Sequence, residues 1–158
     1  MQNKVFYYTN PTRDRHKARV LQLLIEKETG LKLVNPFYNV DGTPTAEIRA
    51  MDRNEKSPVS SGQIVQDDKR LIKTYDGLIG YITNKTSWGS IEESFLAFEV
   101  LGKPTYLIFD PDSRGDCEVC GCTNPNNPNH PWPIEHSSRV FGTIEGFIAF
   151  AKEKLVSQ

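Results

Sequence analysis

The chain is poor in cysteine: three in 158 residues, all between positions 117 and 122. An odd number crowded into six positions argues against the paired framework of a disulfide-stapled secreted domain. There is no surplus of either charge. Nineteen basic residues face 20 acidic ones, for a formal net charge of −1. Proteins that grip duplex nucleic acid by its phosphates carry a basic excess, so a nucleic-acid polymer is not the expected partner. No apolar run nears the roughly 18 to 20 residues of a membrane span. The first ten residues hold one Lys in a short mixed stretch, too polar for a secretion signal. No internal repeat is visible. These absences leave a cytoplasmic protein with no membrane partner as the expectation. The length fits one domain over residues 1–158. A domain of this size buries roughly two-thirds of its unfolded surface, enough for a proper core.

What is present alternates. Val5-Phe6-Tyr7-Tyr8-Thr9 is β-branched and aromatic and ends at Asn10-Pro11, the pattern of a strand running into a loop. Thr12 can cap the helix that follows. There Ala18, Leu21, Leu24 and Ile25 recur at helical spacing until Gly30 stops the run. Leu31 to Val34 is a short strand. Residues 36–61, with Pro36, Gly42, Pro44 and Pro58, read as a long loop with one short helix near Ala46 to Met51. Loops of this length in compact domains are often functional. Ser60 or Ser61 caps a helix reaching Tyr75, with Ile64, Leu71 and Ile72 inward. Gly77 to Ile82 is nearly continuously apolar, as a buried parallel strand should be. Gly89-Ser90 opens a helix that Gly102 ends, and Pro104 to Phe109 is the next strand. Residues 110–137 form a Pro-, Asn- and Cys-rich insertion before a closing helix over Thr143 to Leu155. Strands alternating with helices predict a three-layer α/β fold, Rossmann- or flavodoxin-like. The expected sheet is parallel, with about five strands and helices on both faces.

In such sheets ligands bind beyond the carboxyl ends of the strands. Three segments lie there: Tyr8 to Arg15, Thr83 to Glu93, and the loop after Phe109. The middle one, Ser87-Trp88-Gly89-Ser90-Ile91-Glu92-Glu93, brings hydroxyls, a glycine and free backbone N–H groups to a helix start. Those are the ingredients of an anion site. In the first turn the positive end of the helix dipole favours an ionised Glu93. The same pattern equally fits a plain N-terminal charge complement capped by Ser87. By themselves, Asp67-Asp68 and Asp76 read as surface helix charge and a strand-start Asp.

Taken together, three motifs carry a resemblance. They are Asp68, Ile72 and Asp76-Gly77; then Ser87, Gly89, Glu93 and Ala97; then Gly102-Lys103-Pro104. In this order and spacing the chain resembles the nucleoside 2-deoxyribosyltransferase family, which includes 2′-deoxynucleoside 5′-phosphate N-hydrolases and pyrimidine-nucleotide N-ribosidases. A looser match takes in Tyr7 and Arg13. The resemblance covers roughly residues 1–109 and the last helix, and leaves out 110–137. It implies that Glu93 is the nucleophile, attacking the anomeric carbon to form a glycosyl ester. It implies that Asp68 helps protonate the departing base, which calls for a raised pKa. It implies that Tyr7 orients the nucleophile, with Tyr8 an equally good neighbour in sequence. No cofactor and no catalytic metal are implied.

Ser87 discriminates within the resemblance. The transferases typically place an Asp there to hold a sugar hydroxyl, whereas the nucleotide hydrolases place a Ser that contacts the 5′-phosphate. An Asp would repel phosphate and a Ser can donate to it. Arg13 matches the hydrolases' phosphate-binding Arg, although Arg15 or Lys17 could substitute. Ser87, Gly89, Arg13 and Asn10 are therefore the candidate substrate and phosphate contacts. The expected activity is release of free base from a nucleoside 5′-monophosphate. Base exchange between nucleosides and a weakly catalytic nucleotide-binding module are the alternatives. A homodimer or higher homo-oligomer is implied by resemblance only, with Ser138 to Thr143 a loose counterpart of a phosphate contact made across subunits.

The chain departs from the family at two places. Phe95 stands where a Gly usually follows the nucleophile by two, and it can reshape the pocket or pack into the core. Asn10 replaces the Gly common in the first loop; Asn tolerates unusual backbone angles better than most residues. In the insertion, Cys117, Cys120 and Cys122 with His130 and His136 form a set that tetrahedral zinc accepts. One CxxC without a second pair fits free thiols as well. Trp132 and its prolines can serve as a lid or a subunit contact.

Overall fold

The structure, a computed structural model, describes residues 3–86, 88–113 and 127–156. Five strands form one sheet: β1 (Val5–Thr9), β2 (Lys32–Val34), β3 (Gly77–Ile82), β4 (Thr105–Phe109) and β5 (Arg139–Phe141). All neighbours pair in parallel, in the order β2-β1-β3-β4-β5. Tyr7 is opposite Val34 on one side and Leu78 on the other. The helices are α1 (Arg15–Thr29), α2 (Ala46–Asp52), α3 (Ser61–Thr74), α4 (Trp88–Phe95), α5 (Pro131–Glu135) and α6 (Ile144–Ala151). No helix among the described residues is long and apolar enough to cross a membrane.

Side chains alternate across a strand, so β1 serves two cores. Phe6 and Tyr8 join a cluster with Ala18 and Ile25 of α1 and Phe147 and Ala151 of α6. Tyr7 joins the opposite cluster, with Ile72 of α3 and Ala97 just beyond α4. β3 is buried along its whole length, as its unbroken apolar run requires.

The local signals act as expected at several ends. Gly30 closes α1 in the left-handed region at φ +76°. Ser60 caps α3, its hydroxyl accepting from the Gln63 amide at 3.2 Å. Lys103 Nζ closes the other end of α3 by donating to the carbonyls of Ile72 at 3.0 Å, Lys73 at 2.7 Å and Tyr75. Gly77 is required sterically, because a Cβ there would lie 2.4 Å from the Pro104 carbonyl oxygen.

Two expectations are corrected. Thr12 does not cap α1; Thr12–Asp14 forms a separate 3₁₀ turn and α1 starts after it. The helix opening at Trp88 is α-helical only to Phe95 and continues as a π-helical turn over Leu96–Val100. Within the chain, Ser138 to Thr143 carries β5; the Ser138 hydroxyl accepts from the Thr105 amide at 2.9 Å, and Thr143 caps α6.

Candidate active site

β1 and β3 are neighbours, yet the helices that follow them, α1 and α4, go to opposite faces of the sheet. At such a switch point a crevice opens beyond the strand ends. The α3/α4 side of this crevice is built from β1. Thr9, two residues after Tyr7 and on the same face, donates from Oγ1 to Ser90 Oγ at 3.0 Å. That bond seats the start of α4 over the end of β1. Glu93 follows on α4, and Asp68 comes from α3.

Tyr7 brings the two carboxyl groups together. Burial first, and then Glu93 and Asp68 as close negative and hydrogen-bonding neighbours, push its hydroxyl well above the usual tyrosine range. Tyr7 Oη and Glu93 Oε2 are buried with no hydrogen-bond partner among the described residues. Three groups thus lie close together with their final hydrogen bonds not closed. Catalytic hydrogen bonds often tighten only with substrate in place.

Burial pushes the Glu93 carboxyl up to about 8; the nearby hydroxyls of Tyr7 and Thr9 oppose the rise and the Asp68 charge adds to it. Asp68 is raised to about 6, by burial first and then by the charges of Glu47 and Asp67, with the nearby Tyr7 hydroxyl opposing the rise. Burial thus raises Asp68, as an acid there requires, and raises Glu93 too, against the ionised carboxyl expected of a first helical turn. α4 begins at Trp88, which puts Glu93 in its second turn. There the dipole has faded and desolvation wins. Between about pH 6 and about 8 the pair as a unit holds one proton.

The cations after β1 differ in their partners. Arg15 is committed: it donates to the Thr12 carbonyl at 3.0 Å and pairs with Asp52. Lys17 pairs with Asp110 at 2.6 Å. Arg13, in the 3₁₀ turn, is exposed and pairs with none of the described residues. Its neighbour Asp14 is met by Lys85 at 3.2 Å, which ties the loop after β1 to the loop after β3. Asn10 is 5% exposed, and neither end of its carboxamide has a partner among the described residues. A buried amide in that state costs roughly 1 to 3 kcal/mol until something pairs with it. Gly89 lies in the first turn of α4. Ser87 lies outside the described residues, as do Cys117, Cys120 and Cys122.

The remaining candidates take structural positions. Tyr8 is a core residue whose hydroxyl donates to the Ala18 carbonyl at 2.9 Å. Phe95 does not enter the core; it is 42% exposed and meets His136 edge-on at 5.1 Å. His136 also stacks on Trp132 at 4.9 Å. His130 caps α5, its Nδ1 accepting from the Trp132 amide at 3.2 Å. Among the described residues no group of three or more His, Cys, Asp or Glu is placed to hold a metal.

Thr9, Ser90 and Glu47 were not singled out from the sequence. Alternation along β1 could have flagged Thr9, and helical spacing before Glu93 could have flagged Ser90. Nothing local marks Glu47, whose charge bears on Asp68 from 21 positions away in the chain.

Fold and crevice together define a flavodoxin-like α/β protein with paired carboxyl groups at its topological switch point. No protein-family model and no curated protein matches the chain in sequence. Solved structures do match in fold. A conserved protein from Enterococcus faecalis V583 superposes with a TM-score of 0.70 at 16% identity, covering 98% of this chain and 100% of that one. A 2-desoxiribosyltransferase from Leishmania mexicana superposes with a TM-score of 0.60 at 18% identity, covering 96% and 99%. The chain thus has the fold found in a 2-deoxyribosyltransferase.

Proposed function

We propose that this protein hydrolyses the N-glycosidic bond of a nucleoside 5′-monophosphate, ribo or 2′-deoxy, through a covalent ester on Glu93. The observation that carries the reading is the convergence of Glu93 and Asp68 on one buried tyrosine at the β1/β3 crevice. Paired carboxyl groups are the machinery of retaining glycoside cleavage, with its oxocarbenium-like transition state.

In the first step a Glu93 oxygen bonds to C1′ as the C1′–N bond breaks. The bonding pair leaves with the base, which takes a proton from Asp68. In the second step water attacks C1′, loses a proton to the Asp68 carboxylate and frees Glu93 and the pentose 5-phosphate. Attack requires the single shared proton to sit on Asp68. Tyr7, near both acids, offers the path by which Glu93 passes it on. Its buried position also excludes water from the attacking oxygen.

The phosphate end is assigned to Arg13, Asn10, Ser87 and the α4 start at Gly89. An uncommitted guanidinium and a buried unpaired carboxamide support this. The reading needs no cofactor. The partner is a small nucleotide, and the assembly, by resemblance, is a homodimer or larger homo-oligomer.

The test is a screen of nucleoside monophosphates and nucleosides for free-base release, read by chromatography. Release from monophosphates, lost in Glu93→Ala, is the expected result. A new nucleoside formed on adding a second free base, with no need for phosphate, would move the assignment to base exchange. Tight nucleotide binding with no release under any condition would leave a binding module.

A further inference from the structure

Beside the crevice, α2, α3 and the chain between them line an open cleft of about 340 Å³, with the apolar Met51, Val59 and Ile64 and the polar Glu47, Asn54, Glu55, Ser57 and Ser61 in its wall. Tyr7, Asp68 and Glu93 do not line it. The cleft adjoins them by two links. Ile64 lies four residues before Asp68 on α3, on the same helical face. Glu47, half-buried, is close enough for its charge to bear on Asp68. The order of groups is therefore Glu93, Tyr7, Asp68, Glu47 and then the cleft.

That order fixes where the parts of a substrate go. If C1′ sits at Glu93 and Asp68 protonates the departing base, the base lies on the Asp68 side of the sugar. Continuing in that direction leads into the cleft. Its volume is ample for one heterocyclic ring system, and Met51, Val59 and Ile64 offer apolar surface to the ring faces. Pockets of this kind take orientation from a few polar groups. Here the polar group nearest Asp68 is a carboxylate. An ionised carboxylate only accepts hydrogen bonds. It favours an N–H edge and repels a carbonyl oxygen, as acidic side chains do when they read the cytosine amino group.

We propose that this cleft takes the nucleobase and that Glu47 selects bases bearing an exocyclic amino group, cytosine over uracil and adenine over hypoxanthine. This rests on the glycosidic reading above and adds to it a substrate class and a specificity-determining residue.

The test compares base release from cytidine and uridine monophosphates by the wild-type protein and by Glu47→Gln. The wild type is expected to favour cytidine about ten-fold or more. In Glu47→Gln the ratio should shrink to about two-fold, because a carboxamide can donate to the uracil carbonyl as well as accept. An unchanged ratio in a Glu47→Gln protein that still releases base would overturn the proposal. A second variant, Met51→Trp, fills the cleft at a residue 40% exposed. It should raise KM for every substrate, and unaltered kinetics would count equally against the cleft. Were the wild type to cleave nothing, the glycosidic reading would fail on its own, and calorimetry with free cytosine and uracil would then decide. Cytosine binding that Glu47→Gln abolishes supports the assignment. Equal binding of both bases, or none, overturns it.

Discussion

Tyr7 and Tyr8 are adjacent in one strand and both fully buried, but they face opposite layers. Tyr8 enters the α1/α6 layer, where its hydroxyl finds the Ala18 carbonyl and every neighbour is core. Tyr7 enters the α3/α4 layer, where its hydroxyl meets two acids and closes no hydrogen bond of good geometry. The Tyr8 hydroxyl is satisfied, while the Tyr7 hydroxyl and a Glu93 oxygen stay unpaired in a dry place. Folding alone selects against the second state, since buried polar groups without partners are costly. Its persistence around Tyr7 is what an active site looks like against its own scaffold.

The comparison can be broken at several points. The largest effect is expected for Glu93→Ala, which should lower base release by a thousand-fold or more, on the order seen when a nucleophile is removed. Retained activity in that variant would remove Glu93 from the chemistry. Asp68→Asn should follow, with a loss of roughly 10² to 10⁴ in kcat, the usual range for a general acid.

A smaller effect is set by pH. The pair carries one proton between about 6 and about 8, so kcat/KM should fall on both sides of that window, below it as Asp68 is protonated and above it as Glu93 ionises. A profile flat from pH 5 to 9 would contradict the shared proton. Stability should respond as well. A carboxyl raised from 4.5 to about 8 binds more protons folded than unfolded, so it lowers stability as pH rises through that window. Glu93→Gln escapes this cost. It should be more stable than the wild type above pH 8, by on the order of 5 kcal/mol, with the difference vanishing near pH 4. Thermal melts at the two pH values measure it.

The finest comparison pairs the tyrosines. Tyr8→Phe should cost about 1 to 2 kcal/mol of stability and leave turnover within about two-fold. Tyr7→Phe should leave stability unchanged or higher while lowering kcat about ten-fold. Equal losses of stability in both variants would erase the distinction between the layers.

Much of this was readable in advance, and for a reason that the motif itself supplies. Of the residues carrying the resemblance, several are scaffold. Asp76 Oδ2 accepts from the Val5 amide at 2.7 Å and anchors the start of β1. Gly77 makes room for the Pro104 carbonyl. Lys103 caps α3, the helix that carries Asp68. Spacing between such residues is fixed by helix rise and strand register, so it survives in a one-dimensional reading. The same is true of β1, α3, β3 and the Gly30 stop. β5 escaped because three residues, one of them the exposed Arg139, give too short a pattern to separate from a loop.

Composition, period and punctuation determined the alternation of strands and helices, the parallel sheet, and the short set of residues from which a site could be drawn. They act over a few residues at a time and are written in neighbouring letters. Only the tertiary structure decided that Tyr7 and not Tyr8 faces the acids, that Arg13 and not Arg15 or Lys17 is uncommitted, and that burial pushes the Glu93 carboxyl up. Those outcomes depend on which groups are desolvated together, and desolvation is set by packing between segments far apart in the chain.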